Sequence, residues 1–436
     1  MELPLEYIFN IDFNLSFPAV ILLLGILFRV GVFESFKLAI KMGVGFTGIK
    51  VIFAVLITTI HPLLQEIAVN YSDSLEVIDV GWPVAATISY FTHTGALIIP
   101  IAVIINIIML ELNLTRTINV DVWNFWHFAF TGSLVAALMG SIGLGLLAAA
   151  VKIIIILVLA DVFAELFQKF YDIPGISLPH GYSLIFLPLS LPFKKLFESV
   201  NFEYEVSEEK LHKIQQKLNF LNEPLPLGII MGILLGGLAG RDIYSIINIS
   251  IILAATLIIF PKMGKILMEA LNPISDSIKG YLNERYGEQE IFKGMDSAIA
   301  VGHSSVLTAT LLLVPLTVIL AFLLPGNRVL PFGDLLTIPF LLVSIAPLTK
   351  GDILQTSVLG LIFIVAGLYI ATDLTPIHTQ AALRAGMSVP AEMEITSLVD
   401  GANPLIWFLI KMADLTGITG LLMTGAFFLG FGYLKN

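Results

Sequence analysis

The sequence predicts an all-α polytopic membrane protein with about eleven transmembrane helices, arranged in two inverted repeats with two re-entrant hairpins. Three observations support this fold class. Of the 436 residues, 57% are apolar and only 13% are charged, whereas about 25% are charged in soluble domains. The apolar residues form runs that approach the 20 or so residues a bilayer-spanning helix needs. Features of the first half of the chain recur in the same order in the second half.

The predicted spans account for most of the chain. We predict that the apolar stretch from 128 to 168 forms two spans with a boundary near residue 151. A boundary between Ser141 and Gly145 is the alternative. The spans are predicted near residues 15–33, 42–60, 95–112, 128–150, 152–168, 225–240, 243–261, 305–324, 335–349, 352–372 and 404–433.

Two further stretches, 77–94 and 286–304, are too polar or too short to cross the membrane. Each combines glycine, a carboxylate and a hydrophobic flank. Irregular backbone at membrane depth is tolerated only where protein covers it or where it lines a water-filled cavity. We therefore predict that both stretches are re-entrant hairpins buried within the protein.

The order of features indicates a duplication. In each half, two spans lead to an amphipathic stretch and a hairpin; a span, a polar block, two more spans and a histidine motif follow. Five spans per half is an odd number, so the second copy is inverted, as in transporters that bind substrate at the repeat interface. The predicted units are 1–192 (first repeat), 193–224 (charged cytoplasmic linker), 225–400 (second repeat) and 401–436 (terminal transmembrane helix).

The positive charges predict the orientation of the chain. If the N-terminus lies outside, seventeen Lys and Arg residues fall in cytoplasmic loops and three in external loops. Cytoplasmic loops of membrane proteins carry such an excess. The C-terminus is then cytoplasmic.

Composition argues against several classes of function. The net charge of −10 disfavours a nucleic-acid partner, and the absence of cysteine excludes disulfides and cysteine-based catalysis. The sequence contains no Walker-type nucleotide loop, no HExxH motif and no GxSxG elbow. We predict no cofactor, no metal site and no catalytic residue in this chain.

The most unusual stretch is NVDVWNFWHFAFTG, Asn119–Gly132, which lies between apolar runs and includes the hydroxyl of Thr131. Ionisable groups at such places are costly and usually functional. Helical spacing would put Asp121, Asn124 and His127 on one face, with two tryptophans beside them. Amides and charged groups accept hydrogen bonds from hydroxyls and a flat ring covers a C–H face, so the set suits a polyol or sugar. The alternative is an interfacial tryptophan belt with capping polar groups.

Three other motifs carry candidate substrate ligands. The first hairpin contains Asp79 and Trp82 at a Gly-Trp-Pro break, and the break ISLPHGYS contains His180. The second hairpin contains Asp296 and His303, seven residues apart. The backbone N–H and C=O groups that are not hydrogen-bonded within a helix at such breaks can bind a ligand. The alternatives are a surface turn for the first hairpin, a structural role for His180, pairing of Asp296 with a basic group, and an orienting role for His303.

Several polar residues fit both substrate contact and structure. An ion pair between Arg328 and Asp334 is the structural alternative for the second polar block, and Asn403 is expected to cap the last helix at Pro404. The residues left undecided are Asp121, Asp334, His378 and Gln380.

Several of these motifs resemble the galactitol-type enzyme IIC permeases of the bacterial phosphotransferase system, in the ascorbate/galactitol superfamily. The similarity extends from about residue 20 to the C-terminus. The motifs are GVGFTGI (43–49), IDVGWP (78–83), NVDVWNFWHFAFTG, LPHGYS, MDSAIAVGHSS, LPGNRVLPFGDL and HTQAA.

The resemblance implies a homodimer in the bacterial inner membrane. A moving core carries galactitol or a similar polyol inward past a fixed dimerising part, in an elevator-type motion. A separate IIB subunit, itself charged by IIA, phosphorylates the substrate through a cysteine, so this chain has no phosphorylation site of its own. By position, the family's substrate site corresponds to Asp79 to Trp82, Asn124, His127, His180 and Asp296.

Two other functions are compatible with the residues. An ion-coupled secondary transporter would bind and carry a polyol or sugar without phosphorylating it. An intramembrane enzyme using Asp296 and His303 would turn over its substrate with no protein partner.

Overall fold

A computed structural model describes residues 13–71, 75–119, 121–199, 220, 223–286 and 291–435. The α-helices in this part of the chain are α1 (Phe13–Leu27), α2 (Val32–Tyr71), α3 (Trp82–Tyr90), α4 (His93–Glu111), α5 (Trp126–Met139), α6 (Ile142–Tyr171), α7 (Phe186–Ser199), α8 (Pro224–Leu238), α9 (Ile243–Tyr286), α10 (Ser304–Leu323), α11 (Ile338–Ile345), α12 (Ile353–Arg384), α13 (Pro404–Thr416) and α14 (Ile418–Lys435). The strands are β1 (Val77–Asp79), β2 (Thr117–Asn119), β3 (Ile176–Ser177), β4 (Phe292–Gly294), β5 (Val329–Leu330) and β6 (Glu394–Thr396).

Six of the described helices are long and apolar enough to cross a bilayer: α2, α4, α6, α9, α10 and α12. Shorter apolar helices occupy four more of the eleven predicted spans, at Phe17–Leu27, Pro224–Leu238, Leu335–Ile345 and Ile418–Leu434. The all-α, multi-pass character predicted from composition therefore agrees with the structure, in which the strands are only two or three residues long.

The helix boundaries differ from the prediction at 128–168. Helix α5 ends at Met139, and Gly140 takes a left-handed conformation with φ +63°. Ser141 then caps α6, because its hydroxyl accepts a hydrogen bond from the N–H of Leu144 at 3.3 Å. The break near residue 151 is wrong and the alternative at Ser141 is the better one. Lys152 consequently lies well inside α6 and not at a helix end.

The C-terminal span predicted at 404–433 is two helices, α13 and α14. They are divided at Gly417, whose φ is +59°. The predicted cap at the start of α13 is confirmed: the Asn403 side chain accepts hydrogen bonds from the N–H groups of Leu405 and Ile406. Most of the predicted linker 193–224 lies outside the residues described.

Two three-stranded parallel sheets join the halves of the chain. In the first sheet, β1 lies between β5 and β6; in the second sheet, β4 lies between β2 and β3. Ile78 pairs with Leu330 on one side and Ile395 on the other, and Gly294 pairs with Asn119 and Ser177. Each half therefore supplies the central strand of a sheet whose outer strands come from the other half.

Asp79 fixes the loops at the end of the first sheet. It is fully buried, and its Oδ1 accepts hydrogen bonds from the N–H groups of Gly81 (3.1 Å) and Leu398 (3.3 Å). Its Oδ2 accepts from the N–H groups of Phe332 (3.1 Å) and Asp334 (2.8 Å). One carboxylate thus satisfies four backbone donors from three loops, and buried donors need such partners.

Asp334 is a second buried carboxylate at the same place. It accepts hydrogen bonds from the N–H of Trp82 at 2.6 Å, the hydroxyl of Ser397 at 2.6 Å and the N–H of Val399 at 3.1 Å. The start of α3 at Trp82 is therefore attached to loops that follow β5 and β6.

Arg328 does not pair with Asp334, contrary to the pairing considered from the sequence. Its guanidinium contacts Glu76 at 2.8 Å and Glu394 at 2.7 Å, next to β1 and in β6. The ion pairs lie at the partly exposed edge of the first sheet, whereas Asp334 is buried with the backbone donors described above.

A close backbone approach holds the turn after β1. Gly81 has φ +84°, and a Cβ added at Gly333 would lie 2.4 Å from the backbone nitrogen of Gly81. We expect Gly333→Ala to destabilise the protein by about 1–3 kcal/mol, because the backbone has to shift. The measurement is the melting temperature of the purified protein in detergent. Gly302→Ala is the matched control, since its added methyl would meet no atom within 4 Å. Equal melting temperatures for the two variants would contradict the prediction.

Four helices pack together beside the sheets: α1, α2, α8 and α9. Helices α8 and α9 approach closely at small residues, because a Cβ at Gly228 or Gly232 would lie 2.3 Å from the backbone of Ala254 or Ser250. Small residues at four-residue spacing are typical of tightly packed membrane helices.

Candidate functional site

A cavity of about 180 Å³ lies where side chains from both halves of the chain meet. A few polar groups project from a mainly apolar wall, as is typical of small-molecule sites. The polar side chains that line it are Asn124, His127, His180, Tyr182, Asp296 and Thr337.

Flat rings form much of the cavity wall. Trp82 and Trp123 lie nearly perpendicular, with ring centroids 6.0 Å apart, and the ring of Phe340 stacks on His180 at 5.5 Å. Trp123 and Trp126 are buried and line the cavity. The interfacial tryptophan belt considered from the sequence does not fit this placement, because belt residues face the lipid headgroups.

The block around Asn124 is not one continuous helix. Residues Val122–Phe125 form a 3₁₀ turn before α5 begins at Trp126. The hydroxyl of Tyr90 donates to the carbonyls of Val122 and Trp123 at 2.8 and 2.7 Å and holds this turn.

Asp121 supports Asn124 and does not line the cavity. Its Oδ2 accepts a hydrogen bond from Nδ2 of Asn124 at 2.7 Å. This bond uses the amide nitrogen of Asn124, and within the described part of the chain its amide oxygen stays available to a ligand. The two side chains are therefore brought together by the 3₁₀ turn. The predicted arrangement of Asp121, Asn124 and His127 on one face of an α-helix is not observed.

His127 is fixed by two charged residues that the sequence reasoning missed. Its Nδ1 lies 2.8 Å from Oδ2 of Asp400, and Nζ of Lys152 donates to its backbone carbonyl at 2.8 Å. Nζ of Lys152 also lies 3.9 Å from Oδ1 of Asp400. A lysine within the apolar run of α6 is a signal that the sequence offered, since buried charges in membrane helices are rare and usually paired.

His180 lies beside His127, with ring centroids 4.6 Å apart. The N–H of Ser183 donates to Nδ1 of His180 at 3.2 Å, so Nδ1 is an acceptor and Nε2 carries the proton. Nε2 lies 3.6 Å from Oδ1 of Asp296. This distance is longer than a hydrogen bond, so both groups remain available to a hydroxyl placed between them.

Asp296 is the most accessible acidic group of the cavity, with 26% of its side chain exposed. Its Oδ1 also caps the following 3₁₀ turn by accepting from the N–H of Ala298 at 2.9 Å. Asp296 lies two residues after the end of β4 and immediately before this turn, Ser297–Ala300, and so the second sheet positions this carboxylate.

Five of the eight predicted site residues line the cavity: Trp82, Asn124, His127, His180 and Asp296. The other three lie elsewhere. Asp79 is bound to backbone donors, as described above. The hydroxyl of Thr131 donates to the carbonyl of His127 at 3.2 Å, and His303 caps α10 through contacts with Ser305. His303 contacts the rings of Phe170 and Tyr171, away from the cavity.

The undecided residues also lie outside the cavity wall. Gln380 is exposed on α12. His378 is fully buried, with its ring 4.9 Å from that of Phe130, and neither ring nitrogen has a hydrogen-bond partner in the described part of the chain. Among those same residues, no group of three or more His, Asp or Glu side chains is placed to hold a metal ion.

Comparison with known proteins decides the family. A family model described as the PTS system sugar-specific permease component matches residues 12–392. This chain belongs to that family. The permease is 32% identical, over 425 residues, to the galactitol-specific EIIC component of the PTS of Escherichia coli strain K12, covering 98% of the chain and 94% of the relative. The protein of the same name from Escherichia coli O157:H7 matches equally.

A second kind of relative is the putative permease IIC component of Escherichia coli strain K12. It is 31% identical over 418 residues, which cover 96% of this chain and 95% of the relative. The family predicted from the motifs is thus confirmed. The EIIC permease is a multi-pass membrane protein, in agreement with its six long apolar helices.

Proposed function

We propose that this permease carries galactitol or a closely related polyol inward, for phosphorylation by a separate IIB subunit that IIA charges. The cavity is the main support. It offers the side chains of Asn124, His127, His180 and Asp296 between flat rings. A polyol that leaves water needs a partner for each buried hydroxyl, and its C–H edges can lie on the rings. Relatives about one-third identical over nearly the whole chain are named for galactitol.

The charge of the cavity favours a neutral substrate. Asp296 is its accessible carboxylate, and a like charge placed beside it would be repelled. Phosphorylation adds a charge of about −1.5 to −2, so the same carboxylate weakens binding of the phosphorylated product. The site therefore suits uptake of a neutral polyol and release of its phosphate ester.

The reciprocal exchange of strands supports an inverted repeat. β1, β2 and β3 of the first half have the same roles as β4, β5 and β6 of the second half. The substrate cavity lies between these halves, as in other transporters built from inverted repeats. We place the repeats at 1–192 and 225–400, with 77–94 and 286–304 as re-entrant hairpins.

The packing of the helices supports an elevator-type motion in a homodimer. Helices α1, α2, α8 and α9 pack on one another, and large apolar side chains such as Phe33 and Phe36 are exposed on α2. We propose that this group is the fixed dimerising part and that the sheets with the cavity move. The loop charges favour an external N-terminus and a cytoplasmic C-terminus.

Uptake of labelled galactitol by cells lacking IIA and IIB tests the phosphoryl-transfer route. We expect no accumulation of unmodified galactitol, and recovery of galactitol phosphate when both subunits are restored. Accumulation of unmodified substrate driven by a proton or sodium gradient would contradict the proposal and favour an ion-coupled transporter.

Replacing Asp296 by asparagine is expected to weaken galactitol binding about ten- to a hundredfold. The change removes a hydrogen bond between a hydroxyl and a charged group, which contributes about 1.5–3 kcal/mol. Calorimetry on the purified permease measures the affinity. Asp172→Asn is the matched control: Asp172 is exposed at the end of α6 with φ +55°, a conformation that asparagine tolerates. A shift below threefold for Asp296→Asn would show that this carboxylate does not contact the substrate.

A further inference from the structure

A buried cluster of three side chains includes His127, which lines the cavity. It consists of His127 on α5, Lys152 on α6 and Asp400 in the turn before α13. His127 is 1% exposed, and the other two are fully buried. Their contacts are the 2.8 Å bond from His127 to Asp400, the 2.8 Å bond from Lys152 to the His127 carbonyl, and the 3.9 Å ion pair.

With Lys152 and Asp400 both ionised, the charges of this cluster balance when the imidazole is neutral. Isolated buried charges are very costly, and a buried ion pair persists because each partner compensates the other. Lys152 and Asp400 form such a pair. The charged or titratable groups that face His127 from other elements are His180 and Asp296. A protonated His127 would put a second cation beside Lys152, and among the described residues Asp400 is the buried anion in contact with both.

The carboxylate of Asp400 determines which ring nitrogen of His127 carries the proton. An ionised carboxylate only accepts hydrogen bonds, so Nδ1 is the protonated nitrogen and Nε2 holds a lone pair. Within the described ranges, the hydrogen bond to Asp400 is made by Nδ1, and Nε2 takes no part in it. Because Asp400 occupies the Nδ1 edge and His127 lines the cavity, the Nε2 edge is left for a ligand.

His180 has the opposite arrangement. Ser183 donates to its Nδ1, which leaves Nε2–H as the donor. Two neighbouring rings thus offer one acceptor and one donor. Adjacent hydroxyls of a polyol match this pair, because a hydroxyl both donates and accepts.

We propose that Asp400, neutralised by Lys152, is a positioning residue that fixes the Nδ1–H form of His127, so that Nε2 accepts a hydrogen bond from a substrate hydroxyl. The proposal rests on the proposed polyol-binding function. It adds Asp400 and Lys152 to the site. Neither residue contacts the substrate, but together they determine which hydrogen bond His127 can make with it.

Two double variants test this role without leaving a buried charge unpaired. Lys152→Met with Asp400→Leu replaces the ion pair by apolar groups, a change that is often neutral for stability. Lys152→Met with Asp400→Asn keeps an oxygen that accepts from Nδ1–H. We expect both to fold, the leucine variant to bind galactitol at least tenfold more weakly than the parent, and the asparagine variant to bind within about threefold of it.

Nitrogen-15 NMR of histidine-labelled permease provides a readout independent of substrate. The His127 signals, assigned by their loss in His127→Asn, are expected to report Nδ1–H in the parent and in the asparagine variant. In the leucine variant we expect a mixture of the two tautomers.

Three results would overturn the proposal. One is parental affinity of the leucine variant, a second is an Nε2–H form in the parent, and a third is unfolding of both double variants. A parent that binds no polyol but shows Nδ1–H would instead contradict the polyol-binding function and leave the tautomer assignment standing.

Discussion

His127→Ala is expected to lower galactitol affinity at least a hundredfold and to abolish uptake in cells that contain IIA and IIB. The change removes an acceptor in the cavity and the ring that lies 4.0 Å from Trp126 and 4.6 Å from His180. One lost hydrogen bond accounts for about 0.5–1.5 kcal/mol. Loss of the neighbouring ring contacts and entry of water into the site add to it.

His127→Asn separates the loss of substrate contact from a loss of folding. The Nδ2 amide of asparagine can replace Nδ1–H as the donor to Asp400, and nothing replaces Nε2. We therefore expect this variant to fold and to be more stable than His127→Ala, and to be as inactive as His127→Ala. His61→Asn on α2 is the matched control, since His61 does not line the cavity. Calorimetric binding and uptake measure the effect, and galactitol binding by His127→Asn at the parental affinity would remove His127 from the site.

Asp79→Ala is expected to cause the largest loss of stability. Four backbone N–H groups lose their acceptor at once. A buried donor without a partner costs about 1–3 kcal/mol, and water relieves part of this cost. A loss of several kcal/mol is a large share of the 5–15 kcal/mol that stabilises a typical protein. We therefore expect little folded protein, measured by size-exclusion chromatography of a fluorescent fusion in detergent.

Glu76→Gln is the control for this variant. Glu76 is partly exposed, and its partner Arg328 keeps a second ion pair with Glu394. We expect this change to leave the folded yield unaltered. If Asp79→Ala gave a well-folded permease that failed to bind galactitol, Asp79 would be a substrate ligand, as the sequence analysis predicted.

Local patterns predicted much of the fold. Apolar runs placed the long helices, and the cap at Asn403 followed from the residue before a helix-starting proline. The six short strands had no such signal, because each has two or three residues and their pairing joins positions far apart in the chain. The exchange of strands between the halves was therefore not predicted.

The error at residue 151 also affected the site. With a span boundary there, Lys152 appears at a membrane surface, where a lysine needs no explanation. In the structure it is fully buried in α6, which is a reason to search for its partner. Asp400, which contacts both Lys152 and His127, lies 273 residues from His127 in the chain. Arguments from residue spacing reach only neighbouring turns of one helix.

The candidate ligands that the sequence placed correctly follow breaks in the apolar pattern. His180 and Asp296 lie two or three residues after the ends of strands, and His127 is the second residue of the helix that follows a 3₁₀ turn. Asp79, the last residue of β1, also lies at such a break, but its carboxylate accepts hydrogen bonds from backbone N–H groups. A carboxylate at a break can serve a ligand or the backbone, and the sequence alone does not distinguish the two.

The exchange of strands imposes an order on biosynthesis. The second sheet has all its strands once residue 294 has been made, whereas β1 needs residues 329–330 and 394–396. Asp79 and its last backbone partner, Leu398, are separated by 319 residues. At 5–20 residues per second, translation of that length takes roughly 16–64 s. An unpaired strand is not stable in lipid, so we expect β1 to be shielded by water or by the insertion machinery until residues 394–398 have been made.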